Sequence, residues 1–180
     1  AGVINSDITS NGYGFGAVNF TVDGQFNQNI GTTLNPLYTV SVGTGKALAL
    51  GTSTVINALN ISIANNASLS GRSDQLIGNI SFQGASHLSL DSGIITGEIN
   101  GSADGNSGIL YINEGQTVTT TQDLGKTYKL SLVELGARAT LNLDINNNYL
   151  GSNSLILNSE ATLNIGSKAV SSSIIAASAG

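Results

Sequence analysis

Lys46-Ala47-Leu48-Ala49-Leu50, Asn66-Ala67-Ser68-Leu69-Ser70 and Ser86-His87-Leu88-Ser89-Leu90 are three short runs in which leucine alternates with, or stands between, small or polar residues. Alternation of this kind is the signature of a strand with one buried face. Leu48, Leu69 and Leu88 follow one another at steps of 21 and 19 residues. The unit returns as Ala139-Thr140-Leu141-Asn142-Leu143 and Ala161-Thr162-Leu163-Asn164-Ile165, 22 residues apart. Between the two groups, Ile109-Leu110-Tyr111-Ile112 and Tyr128-Lys129-Leu130-Ser131-Leu132 keep a similar step. A unit of about 20 residues holding several short strands fits neither a Rossmann unit nor a helical repeat, but it does fit one coil of a solenoid. Each coil then lies in parallel register on the one before, with a leucine column inside and Asn, Ser and Thr columns outside.

A second strand type lies between these runs. Gly78-Asn79-Ile80-Ser81-Phe82 and Gly97-Glu98-Ile99-Asn100-Gly101 place an isoleucine after a Gly-polar pair, and Val55-Ile56-Asn57-Ala58-Leu59-Asn60-Ile61 reads as an earlier counterpart. Each coil therefore carries at least two strands. An antiparallel sandwich also has regularly recurring strands, but it does not repeat one side-chain pattern this closely. Low charge also favours stacked rungs, where like charges in register repel. The fold expected is all-β, a right-handed parallel β-helix (β-solenoid) with rungs of about 20 residues; the pattern itself does not carry the hand of the coil.

Composition agrees. Charged residues make up 9% of the 180-residue chain, against about 25% in an ordinary domain. Yet 40% is hydrophobic, which is material for a core and not the composition of a disordered chain. The lack of cysteine excludes a disulfide framework and any cysteine-based metal or redox site. With six Lys and Arg against eleven Asp and Glu, there is no electrostatic footprint for nucleic acid or an anionic membrane. No window approaches the roughly 18 consecutive apolar residues of a membrane helix, so membrane insertion of this segment is not expected. The opening Ala1-Gly2-Val3-Ile4-Asn5 has neither an initiating Met nor a signal-peptide pattern and reads as the start of a fragment.

Residues 1–40 stand apart from 41–180. Tyr13, Phe15, Phe20, Phe26 and Tyr38 are five of the nine Phe and Tyr residues, and Pro36 is the single proline. We expect irregular or capping rungs over 1–40, with strands at Ala17–Val22 and Tyr38–Val42, and regular rungs over 41–180. The early aromatics fit either core stacking or a ligand-contacting surface. Ser171–Ala177 reads as a further rung.

No motif supports chemistry. A lone His87 cannot complete a histidine metal site, and on its strand it faces opposite to Leu88. No Gly-x-Ser-x-Gly elbow is present. Asp144-Ile145-Asn146-Asn147-Asn148 begins like an EF-hand loop, but Tyr149 and Leu155 stand where Gly and a bidentate Glu are needed. Gly12-Tyr13-Gly14-Phe15-Gly16 and Gly43-Thr44-Gly45-Lys46 lack phosphate-loop spacing and read as turns. Asp91, Glu98, Asp104, Glu114 and Asp123 lie on different rungs and do not converge as the carboxylate pair of a polysaccharide-cleaving enzyme would. Thr117-Val118-Thr119-Thr120-Thr121 is a single threonine run and not a ladder. Accordingly, no catalytic, cofactor-binding or metal-ligating residue is assigned, no cofactor is expected, and no partner-binding residue is singled out.

The Ala-Thr-Leu-Asn-Leu/Ile units at 139–143 and 161–165, with Ile95-Thr96-Gly97-Glu98-Ile99-Asn100-Gly101, resemble the passenger domains of autotransporter surface proteins. The surface cell antigen type of obligate intracellular bacteria is the nearest in flavour, over roughly residues 40–170. The resemblance implies a non-enzymatic β-helix segment of a longer passenger, exported across the outer membrane to the bacterial cell surface or secreted. It implies adhesion to host cells through a surface receptor or glycan. A structural spacer of a surface fibre and a polysaccharide-cleaving β-helix enzyme are the alternatives. Two-partner secreted exoproteins and phage fibres share the pattern, so the export route stays open. A cut solenoid exposes its end strands, which makes end-to-end self-association an expected property of the fragment.

Overall fold

The computed structural model describes residues 6–102, 107–143, 149–165 and 169–176. Its strands are β1 (Ala17–Phe20), β2 (Gly24–Phe26), β3 (Leu37–Val42), β4 (Ala47–Leu50), β5 (Ile56–Ile63), β6 (Ser68–Arg72), β7 (Leu76–Phe82), β8 (His87–Asp91) and β9 (Gly93–Ile95). They continue as β10 (Ile99–Asn100), β11 (Ser107–Ile112), β12 (Thr117–Thr120), β13 (Leu130–Leu135), β14 (Thr140–Leu143), β15 (Tyr149–Leu157), β16 (Thr162–Asn164) and β17 (Ala169–Ala176). Every pairing between them is parallel, and strands adjacent in a sheet are one coil apart in sequence. The chain is a parallel β-solenoid of about seven turns.

Three sheets run along the coil. One has the order β1-β3-β5-β7-β10, a second β2-β4-β6-β8-β11-β13-β15-β17, and the third β9-β12-β14-β16. The eight-stranded sheet carries the column Leu48, Leu69, Leu88, Leu110, Val133, Leu155, Ile174, each in register with the next. On the five-stranded sheet Val18, Val40, Ile61, Ile80 and Ile99 stack in the same way, and single bridges extend the line to Leu124 and Leu150. Leu69, Leu88, Leu110, Val133 and Leu155, like Val40, Ile61, Ile80, Ile99, Leu124 and Leu150, are buried. Complete burial of such a side chain is worth about 1.5–3 kcal/mol. With so few charges, apolar stacking of this kind, which also includes Val42, Ile63 and Phe82 in one stack and Leu90, Ile112 and Leu135 in another, is the main stabilising term. Ile61, Ile80 and Ile99 share a column, as the second strand type requires. The alternation at Leu130 slips by one residue, so Val133 and not Leu132 enters the column.

The five Leu-x-Leu runs do not form one column, contrary to the expectation from the repeat. Leu48, Leu69 and Leu88 belong to the eight-stranded sheet, whereas Leu141 and Leu163 stack on Val118 in the four-stranded one. Four of the five runs, and the Thr117–Thr120 strand as well, follow one kind of turn, whereas Ser86–Leu90 follows a tighter one in which the Ser86 N–H donates to Gly84 O at 2.8 Å. In Gly43–Lys46, Ala64–Ala67, Asn113–Gln116, Gly136–Ala139 and Asn158–Ala161 the fourth N–H donates to the first carbonyl at 2.9–3.1 Å. The third residue has positive φ, as a type II turn demands: Gly45, Asn66, Gly115, Arg138 and Glu160. The turns before β4 and β6 join the five-stranded to the eight-stranded sheet, while those before β12, β14 and β16 join the eight-stranded to the four-stranded sheet. Between β8 and β12 the tight corner thus moves one edge around the coil. The turn 113–116 settles on Asp91-Ser92: Asn113 Nδ2 donates to Asp91 Oδ1 at 2.8 Å and Ser92 Oγ to Gln116 Oε1 at 2.8 Å.

Arg138 and Glu160 hold left-handed φ values of 58° and 59° without being Gly or Asn, a conformation that costs an L-residue about 1–2 kcal/mol. Glu160→Gly should therefore raise stability by about 0.5–1 kcal/mol, after subtracting the greater freedom glycine has in the unfolded chain. An unchanged or lower urea midpoint would argue against the strain.

Outside, polar side chains tie rung to rung. Asn142 Nδ2 donates to Thr119 Oγ1 at 3.3 Å, Asn164 Nδ2 to Asn142 Oδ1 at 2.7 Å, and Ser41 Oγ to Asn19 Oδ1 at 3.0 Å. Where the five-stranded sheet narrows to single bridges, Asp123 takes over, accepting from the Tyr149 N–H and from Lys126 Nζ, both at 2.6 Å. Burial alone would raise the Asp123 carboxyl, but these two hydrogen bonds and the Lys126 charge together outweigh it and hold it below the usual carboxylate range. A depressed folded-state pKa contributes stability that is present above the unfolded value of about 4 and is lost as pH falls through the folded one. Stability should decline in that acid window, and less steeply in Asp123→Asn. Parallel pH–stability curves for the two proteins would remove Asp123 from the explanation.

Candidate binding groove

On the outer side of the five-stranded sheet the register slips. Asn57 pairs with Ile77 and Asn60 with Asn79, so Ala58 and Leu59 together face Gly78. This is a β-bulge, one residue more on one strand than on its neighbour. Gly78 has φ 141°, and a Cβ there would overlap the Ala58 carbonyl oxygen. A Cβ on Gly97, one rung further, would overlap the Gly78 carbonyl oxygen. Three backbones therefore meet with almost no side chain above them, and an open groove of about 400 Å³ lies over this floor. Tyr13, Thr33, Asn57, Leu59, Ile77 and Thr96 are among its lining residues, and none of the residues lining it is charged.

Asn57 is the unusual member. Ile56 and its partner Leu76 point into the core. Strand alternation therefore sends the side chains of Asn57 and Ile77 outward. Ile77 is exposed as expected, but Asn57 is only 6% exposed, and its buried Oδ1 has no hydrogen-bond partner among the described residues. A buried acceptor left unpaired costs about 1–3 kcal/mol. The other buried polar side chains near this corner are satisfied: Thr54 Oγ1 donates to Phe26 O at 2.9 Å, and Ser73 Oγ to Asp91 O at 2.8 Å.

The Gly12–Gly16 segment walls one side of the groove. The Gly14 N–H donates to Pro36 O at 3.0 Å, and a Cβ at Gly14 would sit 3.0 Å from Leu59 Cδ1. Tyr13 is thereby held at the rim, 67% exposed, with Phe15 also exposed. Phe15 lines a neighbouring cleft with Ser10 and Leu37. Tyr38, opposite Leu59 in the register of β3 and β5, is exposed as well. Phe20 and Phe26 instead pack edge to face with ring centroids 5.2 Å apart. The early aromatics therefore divide, with Phe20 and Phe26 stacked on each other and Tyr13, Phe15 and Tyr38 exposed. β1 and β2 pair in register with β3 and β4, so the first rungs already stack on the regular ones.

The remaining positions of interest do not assemble. His87 is exposed on β8, between Ser68 and Ile109. Asp91 accepts from Asn113, Glu98 from Asn100 Nδ2, and Glu114 is ion-paired with Arg138. Asp104 and Asp144–Asn148 lie outside the described residues, and Leu155 is in the core column. No group of three His, Cys, Asp or Glu residues able to hold a metal occurs among the described residues. Gly43–Lys46 is a corner turn. Thr117 departs from expectation, because it is in register with Thr140 and Thr162 and so belongs to a ladder of three. The parallel outward position is not all threonine: Thr119 is followed by Asn142 and Asn164.

No known protein family, curated protein or solved structure matches the chain.

The sequence reading did not single out Asn57. A signal was available: Ile56 and Ile61 are five residues apart, whereas their stacked partners Leu76 and Ile80 are four apart. The extra residue marks the bulge.

Proposed function

We propose that this chain is a segment of an autotransporter-type passenger β-helix, displayed on or secreted from a bacterial cell after export across the outer membrane, and that it acts without enzymatic activity in adhesion to host cells. The observation that carries this reading is the presentation of Tyr13, Phe15 and Tyr38, all exposed, beside an open groove on a solenoid wall. Exposed aromatic side chains gathered on one weakly charged part of a surface are recognition elements more than solubility elements. The partner is a host-cell surface receptor or glycan. One such site is weak, so many copies on a cell supply avidity. The test is saturable binding of the fluorescently labelled chain to host cells, with Phe15→Ala and Tyr38→Ala reducing it. Binding that fails to saturate, or that ignores both substitutions, overturns the reading.

The hydrogen-bonded Thr119-Asn142-Asn164 ladder favours a second reading, a spacer that holds a distal head away from the cell. In that case removal of one rung would leave surface function intact.

A further inference from the structure

We propose that the groove at the β5–β7 bulge binds a neutral saccharide, with the Tyr13 ring covering a pyranose face and the side chains of Thr33, Asn79 and Thr96 at its edge pairing with the sugar hydroxyls. The inference rests on the adhesive reading in that it names what the surface grips.

Three observations select the ligand class. First, the groove carries Thr33, Asn79 and Thr96, whose hydroxyls and amide both donate and accept, as sugar hydroxyls do. Second, the lining residues carry no charge, although Asp and Glu outnumber Lys and Arg in the chain. A charged ligand would have no counter-ion here and would be desolvated at a cost. Third, the lining combines an exposed aromatic ring, Tyr13, with the aliphatic side chains of Leu59 and Ile77. One apolar face and a ring of hydroxyls and amides match a pyranose, which has an axial C–H face and a rim of hydroxyls that both donate and accept. About 400 Å³ is at the small end for small-molecule sites and suits one or two sugar rings.

The bulge explains how such a site arises on a solenoid. Regular rungs turn a flat wall of side chains outward. Here the near-contact at Gly78 and Gly97 removes the side chains from two rungs and leaves a depression, while the Gly14–Pro36 hydrogen bond fixes the aromatic rim.

The test is an amide-shift NMR titration of the full chain with lactose, maltose and chitobiose at millimolar concentration, repeated on Tyr13→Ala and Ile77→Arg. The expected result is shifts for at least one sugar confined to residues near 13, 33, 57–59, 77–79 and 96–97. Tyr13→Ala should weaken binding about tenfold, and Ile77→Arg should abolish it while the remaining spectrum stays folded. Absence of shifts with all three sugars, shifts elsewhere on the coil, or affinity unchanged by both variants would overturn the proposal. So would occupation of the groove by an uncharged tripeptide more tightly than by any sugar. The two readings fail separately. Saturable cell binding with a silent groove removes the saccharide site and leaves adhesion standing. A sugar-filled groove on a chain that ignores host cells removes adhesion and leaves the site.

Discussion

Gly78→Ala should lower the unfolding free energy by about 3 kcal/mol or more, although it adds one methyl group to a chain rich in exposed small residues. Two costs combine. At φ 141° an L-residue is strained, and the new Cβ would collide with the Ala58 carbonyl oxygen, a backbone atom that cannot rotate away. Relief requires β5 and β7 to separate at the bulge. In a stacked-rung protein the damage passes first to nearest neighbours, so amide exchange should accelerate in β3, β5, β7 and β10 before it does in β13 and β15. Gly24→Ala provides the contrast. A Cβ there meets nothing within 4 Å, and the change should stay within about 0.5 kcal/mol of zero. Equal urea midpoints for the two variants would mean that the rungs are not in close contact at Gly78.

Leu110→Ala should cost about 2–5 kcal/mol, the range for a large side chain removed from a packed interior. Leu110 is fully buried between Leu88 and Val133, midway along the column of the eight-stranded sheet. The cavity would open between two rungs whose backbones are held at fixed hydrogen-bonded spacing, so little collapse can fill it. Ile174 occupies the same column one rung beyond Leu155, yet it is 58% exposed. Ile174→Ala should change stability by less than about 0.5 kcal/mol. Guanidinium titrations decide this, and a large loss at Ile174 would show that further chain covers it.

The solenoid was legible because a parallel stack writes one strand pattern into the chain again and again, and the alternation at 48, 69 and 88 needs only a period-two reading. The division into two columns was not legible from Leu-x-Leu units alone. Leu69 and Leu141 have nearly the same local sequence because both follow a turn with a left-handed third residue, Asn66 in one case and Arg138 in the other. A turn specifies the strand after it but not the side of the coil on which it stands; that depends on contacts a full rung away, such as Asn113 with Asp91. The groove was less legible still. Gly12–Gly16 reads locally as a turn, and nothing near it in sequence says that Tyr13 will stand beside Asn57 and Ile77, which arrive two and three rungs later. The early aromatics were recognised as distinctive, but their division into Phe20 and Phe26 inside and Tyr13, Phe15 and Tyr38 outside follows from strand register.

The sideways step of the tight corner between β8 and β12 bears on how such a chain can grow. Rungs on either side of the step are built to different templates. A duplicated rung inserted among β3–β8 or among β11–β16 would find matching corners above and below. The same insertion across residues 84–113 would set a corner over a strand. Gene duplication and recombination therefore have two separate reservoirs of interchangeable rungs in this protein, joined by a seam that can be inherited but not copied.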